Sequence, residues 1–118
     1  MTAYGEKRQA PRIQPFVASC RWVLGDRRVA GFLTDLSVQG GRVHTDEEPP
    51  AVGTALVVEV RIGRRATHLR IPATVRWSKV SSRGGWLFGA NFEGIGGDEQ
   101  KALEAVVEEF QRRAASIA

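Results

Sequence analysis

The chain has 118 residues, 42% of them hydrophobic and 25% charged, with a net charge of +4. That length suits one domain with one core, and that composition excludes the disordered and membrane classes. Apolar runs such as Ala55–Val58 are far too short to span a bilayer, and the first residues lack the apolar core of a signal peptide, so a cytoplasmic protein without membrane insertion is expected. Cys20 is the only cysteine, which rules out an internal disulfide and fits a reducing compartment. With only His44 and His68 beside it, neither a metal site nor a bound cofactor is expected.

In chain order, residues 1–12 are polar, hold Gly5 and Pro11, and show no apolar period. They are expected to form a flexible arm ahead of a single domain over residues 13–118. Residues 1–30 carry six basic side chains (Lys7, Arg8, Arg12, Arg21, Arg27, Arg28) against two acids, which suggests an anionic partner met at that end. From Phe16 to Leu24 every second residue is apolar, the pattern of a half-buried strand, and Gly25-Asp26 closes a tight hairpin.

The return strand runs from about Arg28 to Leu36, a Gly40-Gly41 turn follows, and a short strand covers Arg42 to Thr45. Glu47-Glu48-Pro49-Pro50 breaks the pattern. Leu56 to Ile62 and Leu69 to Trp77 alternate again around a turn at Gly63-Arg64-Arg65. Pro72 cannot donate to a ladder, so an edge or a bulge is expected there. Ser81–Gly85 is a loop before a last strand with Trp86, Phe88, Ala90 and Phe92 on one face.

After a Gly94–Gly97 linker, Asp98 is an expected N-cap, and Leu103, Val106, Val107, Phe110 and Ala114 trace the apolar stripe of a helix over 98–114. Six short strands and one terminal helix predict an all-β fold: a small six-stranded antiparallel β-barrel with one C-terminal α-helix.

Arg8 and Arg12 are four apart, and Pro11 biases Ala10 toward extended geometry, where an even spacing puts both guanidinium forks on one side. They would stand roughly 13 Å apart along an extended chain, able to grip two phosphates, or a phosphate and the O6/N7 edge of guanine. Asp35 and Ser37 alternate onto one side of a strand end. There a carboxylate accepts from guanine N1 and N2 hydrogens and a hydroxyl donates to phosphate, while Gly40 supplies a positive φ or a close backbone approach. The same three residues equally describe a hydrogen-bonded turn.

Taken together, Arg8-x-x-x-Arg12, Asp35-x-Ser37-x-x-Gly40, the following Pro49-Pro50, Val52-Gly53-Thr54 and Arg76-Trp77 segments and the barrel-plus-helix pattern resemble the PilZ family of bacterial cyclic di-GMP receptors, over about residues 7–112. The resemblance implies that Arg8 and Arg12 hold phosphates and guanine edges, that Asp35 and Ser37 contact guanine and phosphate, and that Gly40 keeps the turn open. Lys7 and Gly41 are auxiliary positions, and Lys7 stands where many relatives that bind a stacked ligand pair carry a further arginine. An arm that orders on the ligand and signals to a downstream protein is the implied mechanism.

The residues admit three other readings. A hydrolase would need Asp35, Ser37 and His44 to act together, but no nucleophile elbow is present, so a non-enzyme is expected. A nucleic-acid-binding barrel would need exposed aromatics. Trp22, Trp77 and Trp86 each fall on the apolar face of their strands and read as core, which disfavours nucleic acid. A protein-interaction adaptor that does not use the nucleotide is the remaining alternative.

Overall fold

A computed structural model describes residues 18–61 and 69–115. The arm with Lys7, Arg8 and Arg12, the expected turn at Gly63-Arg64-Arg65 and His68 lie outside the described residues. The elements are β1 (Ala18–Leu24), β2 (Arg27–Leu36), β3 (Gly40–Thr45), β4 (Ala55–Val60), β5 (Leu69–Val80), β6 (Trp86–Phe92) and α1 (Gly97–Ala115). Every strand pairing is antiparallel, and the order β1-β2-β3-β6-β5-β4 closes on itself because β1 also pairs with β4. The expected six-stranded barrel with a C-terminal helix is the fold observed.

Alternation explains the interior. Ala18, Cys20 and Trp22 of β1 point inward, as do Val29 and Leu33 of β2, Val58 and Val60 of β4, and Leu69, Ile71, Ala73 and Val75 of β5. Trp22 is fully buried and meets Phe88 edge-on at 6.2 Å between ring centroids. Its indole N–H, which cannot be left unpaired in such a place, donates to Thr45 Oγ1 at 3.1 Å. Burial pushes the Cys20 thiol up to about 12, so it stays protonated and acts as a small apolar side chain. Helix α1 packs on β2 and β5 and buries Leu103, Val107 and Phe110 against the same core. Leu24 is only partly buried and Ala114 is exposed, because each sits at the end of its element.

Local chemistry sets the connections. Gly25 takes φ of 60° in a two-residue hairpin that puts Leu24 opposite Arg27, so β2 starts one residue before its expected boundary. The helix cap is Gly96 rather than Asp98: the Gly96 carbonyl accepts from Gln100 N–H at 2.7 Å, while Glu99 reaches back to Gly96 N–H at 3.4 Å. A carboxylate three residues into the helix thus accepts from the cap residue's own N–H, the backward half of a capping box. Pro72 lies at a local edge. Its carbonyl accepts from Glu93 N–H just beyond the end of β6, so its missing N–H faces a stretch with no ladder to satisfy.

On the outer wall, the largely buried Glu59 carboxylate receives Arg28 at 2.8 Å and Arg70 at 2.6 Å. A shielded carboxylate of this kind is tolerable because it is paired. Arg70, expected to face solvent, does so at half exposure while holding Glu59.

Candidate functional site

Two β-bulges create the site. On β2 the register passes from Leu33 opposite Val43 to Asp35 opposite Arg42, and on β5 it passes from Val75 opposite Ala90 to Trp77 opposite Gly89. Simple alternation from the buried Leu33 and Val75 would send both Asp35 and Trp77 into the barrel. One extra residue in each strand, Thr34 in β2 and Arg76 in β5, turns them outward instead. Trp77 is accordingly 39% exposed, which corrects its expected place in the core, and Trp86 is only half-buried. Trp22 alone of the three tryptophans is a core residue.

The outward residues then fall on one row across four strands: Asp35 on β2, Arg42 on β3, Gly89 on β6 and Trp77 on β5. Gly89 is where this row needs a glycine, since a Cβ there would sit 2.2 Å from Trp77 Nε1; without one, the indole lies down across β6. The next row pairs Gly40 with Asn91. Together with Ser37, Gln39, Gly41, Arg76 and Ala90, these residues line one open depression on the outside of the barrel.

The Asp35-x-Ser37-x-x-Gly40 segment forms a tight turn with its polar groups on this depression. Ser37 N–H donates to the Gly40 carbonyl at 2.8 Å, the Ser37 hydroxyl accepts from Gln39 N–H at 3.2 Å, and Asp35 Oδ1 accepts from Leu36 N–H at 3.0 Å. The turn reading and the ligand reading of this motif are therefore compatible, because Asp35 keeps its second oxygen turned to an exposed neighbour, Arg42, at 3.9 Å. Gly40 and Gly41 are not the turn itself. They open β3, and Gly40 does not take a positive φ.

What Gly40 supplies is close approach: a Cβ would meet the Ala90 carbonyl oxygen at 2.2 Å, so β3 and β6 could not pair there with any larger residue. Gly41 is also tight, 3.1 Å from Leu33 Cδ2 and 3.2 Å from the Asp35 carbonyl. Gly40→Ala is expected to cost about 1–3 kcal/mol of stability, since the obstacle is backbone rather than a side chain that could swing away. A lowered urea midpoint for this variant checks it.

His44 is committed elsewhere. Its ring stacks on Phe32 at 4.8 Å and Nε2 meets the Gly84 carbonyl at 2.9 Å, while Ser37 Oγ is held by the turn, so the two do not form a nucleophile and base pair. Among the described residues no group of His, Cys, Asp or Glu is arranged to hold a metal ion, and no helix is long and apolar enough to cross a membrane.

Of the residues singled out in the sequence, Asp35, Ser37, Gly40 and Gly41 come together, and Lys7, Arg8 and Arg12 lie outside the described residues. Arg42, Trp77 and Asn91 were missed as site residues. Trp77 was missed because a bulge leaves the apolar rhythm Val75, Trp77 unbroken, and only the Gly89 opposite it hints that a flat ring lies there.

A closed antiparallel barrel with an outer depression built from an Asp-Ser-Gly turn, arginines and an exposed indole defines a small barrel module that presents carboxylate, hydroxyl, guanidinium and indole groups on one external face. The chain belongs to the PilZ domain family, whose model matches residues 6–109 and so takes in Arg8 and Arg12 as well as the turn. Among solved structures it is similar to the Bacillus subtilis inhibitor of motility (MotI/DgrA), with a TM-score of 0.66 and 15% identity over 90% of this chain. It spans about half of that protein, 53%. It is equally similar in fold to the PilZ domain of YcgR from Escherichia coli, a structure containing c-di-GMP, with a TM-score of 0.66, 17% identity, and 88% and 91% of the two chains covered. At these identities the likeness establishes the fold. No curated protein matches the chain.

Proposed function

We propose that this chain is a cyclic di-GMP receptor, a binding module rather than an enzyme, that takes the dinucleotide between the arm of residues 1–12 and the outer face of the barrel. The observation that carries the reading is the row Asp35, Arg42, Gly89, Trp77 beside the Ser37 turn, in a chain of the PilZ family. Asp35 presents a carboxylate oxygen to the N1 and N2 hydrogens of a guanine, and the Ser37 hydroxyl, whose hydrogen rests on the Gly40 carbonyl at 3.4 Å in the free chain, turns it to phosphate. Trp77 offers an exposed ring face to a base.

Arg8 and Arg12 close over the ligand with planar forks suited to phosphate oxygens and to the guanine O6/N7 edge. Ordering the arm costs about 1–2 kcal/mol per fixed backbone residue, and charge-assisted contacts worth about 1.5–3 kcal/mol each offset it, so binding and ordering of the arm go together. The ordered arm is the surface that a downstream protein partner reads. Lys7 adds charge without a fork, which favours one ligand over a stacked pair.

The exposed Trp77 also bears on the nucleic-acid alternative. Proteins that track single strands align several stacking aromatics with successive bases. Here one exposed indole stands on a face that also carries Asp35, whose carboxylate can accept from the N1 and N2 hydrogens of guanine, which favours a guanine ligand over a tracked strand.

Equilibrium dialysis with labelled cyclic di-GMP tests the reading through the turn. Asp35→Ala is expected to weaken binding at least tenfold while leaving the urea midpoint nearly unchanged, because the side chain is 67% exposed and a loss of 1.4 kcal/mol corresponds to one decade. Unchanged affinity in Asp35→Ala would remove the guanine contact on which the proposal depends.

A further inference from the structure

Arg42 has no part in the Asp-Ser-Gly turn, yet it occupies the middle of the site. In the row across the barrel it stands between Asp35 and the glycine floor on which the Trp77 ring lies. Strands are spaced by about 4.8 Å and the Trp77 ring lies over β6, two strands from β2, so the position that accepts a guanine edge and the ring that can stack a base are roughly 10 Å apart, with Arg42 on the strand between them. A ligand whose bases occupy both positions must pass its phosphodiester linkage over β3, where the Arg42 side chain stands half-exposed.

Its only ion pair among the described residues is the 3.9 Å approach to Asp35, in which both groups are at least half open to water. Exposed pairs of that kind contribute little, so Arg42 is held near the site at almost no cost in leaving it.

We infer that Arg42 is a ligand-contacting residue that changes partner on binding: in the free protein it rests against Asp35, and in the complex it yields that carboxylate to guanine and turns its guanidinium to a phosphodiester of the dinucleotide. The inference rests on the cyclic di-GMP reading above. Arg42 thereby supplies from the barrel a phosphate fork additional to the two in the arm, while the guanine N–H donors take its place on the Asp35 carboxylate.

Calorimetric titration of the full chain with cyclic di-GMP tests this, using Arg42→Gln, Arg42→Lys and Arg83→Gln. Arg83 is exposed in the Ser81–Gly85 loop, outside the depression, and serves as a control for charge alone. Arg42→Gln is expected to weaken binding roughly tenfold, as for loss of one charge-assisted contact, with Arg42→Lys between it and the parent because a lysine lacks the fork. Arg83→Gln should change affinity less than about threefold, and added salt should weaken the parent more than Arg42→Gln.

Urea midpoints of all three variants should match the parent, as both arginines are exposed. Parent-like affinity in Arg42→Gln, or equal losses in Arg42→Gln and Arg83→Gln, would overturn the inference while leaving the receptor reading intact. Absence of binding by the parent chain would overturn both.

Discussion

The double variant Arg8→Ala/Arg12→Ala is expected to bind cyclic di-GMP at least a hundredfold more weakly than the parent chain. Each guanidinium makes contacts to charged oxygen worth about 1.5–3 kcal/mol, and losing 1.4 kcal/mol is one decade in affinity. The two losses should nearly add if each arginine holds a different part of the ligand, and fall short of the sum of the single losses if both are needed to order the arm. Charged side chains are rarely core residues, so the variant should unfold at the parent's urea concentration. Calorimetry beside a urea titration measures both quantities. A double variant that retains affinity within threefold would mean that the barrel face binds alone and that the arm does not grip the ligand.

The largest expected effect on stability is at Trp22. Trp22→Ala should destabilise the fold by about 3–5 kcal/mol, the range for emptying a large aromatic from a packed core. Trp22 is fully buried, meets Phe88 edge-on, lies under the Arg27 guanidinium at 5.0 Å from the ring centroid, and donates its N–H to Thr45. In a domain whose total stability is of order 5–15 kcal/mol, such a loss leaves a large unfolded fraction near physiological temperature. Trp22→Phe should recover more than half of the loss, because a phenyl ring refills most of the volume while only the Thr45 contact is lost. Urea unfolding followed by far-ultraviolet circular dichroism checks both variants. A cost below about 1 kcal/mol for Trp22→Ala would show that the barrel interior can collapse around the gap.

Much of the fold is legible in the sequence because period-two alternation is a local signal. Trp22, Val58, Ile71 and Phe88 are where alternation puts them, and Gly25-Asp26 announces its hairpin through the glycine that takes φ of 60°. The helix stripe through Leu103, Val107 and Phe110 is equally local. What the sequence hides is register. An extra residue at Thr34 and another at Arg76 leave no mark in the pattern of apolar residues, yet each reverses the direction of the side chain that follows.

Trp77 therefore reads as core and stands at the surface, while Asp35 is identified by its motif and not by the bulge that exposes it. Gly40 is a similar case: a glycine is required there, but by the Ala90 carbonyl of a strand fifty residues away rather than by the turn beside it. Arg42 was invisible for the same reason, since its place between Asp35 and Trp77 exists only once four strands are in register. The cap at Gly96 shifts by two residues because Glu99 reaches backward, a choice that local propensity alone does not decide between Asp98 and its neighbours.

The two bulges also explain how so small a barrel carries polar and aromatic side chains on one outer face without opening its core. Turning Asp35 and Trp77 outward leaves Leu33, Leu36, Val43 and Val75 sealed inside, so the outward residues can change with little consequence for packing. Affinity and stability should then separate cleanly: variants at Asp35, Arg42, Arg8 and Arg12 act on the first, and Trp22 and Gly40 act chiefly on the second.

The most direct test of the central claim is an isothermal titration of the full chain with cyclic di-GMP, with cyclic GMP and GTP in parallel cells. The expected result is saturable binding of cyclic di-GMP at one ligand per chain, lost in the Arg8→Ala/Arg12→Ala variant, with neither mononucleotide competing at tenfold excess. No heat of binding with cyclic di-GMP, or displacement by GTP at equal concentration, would contradict it.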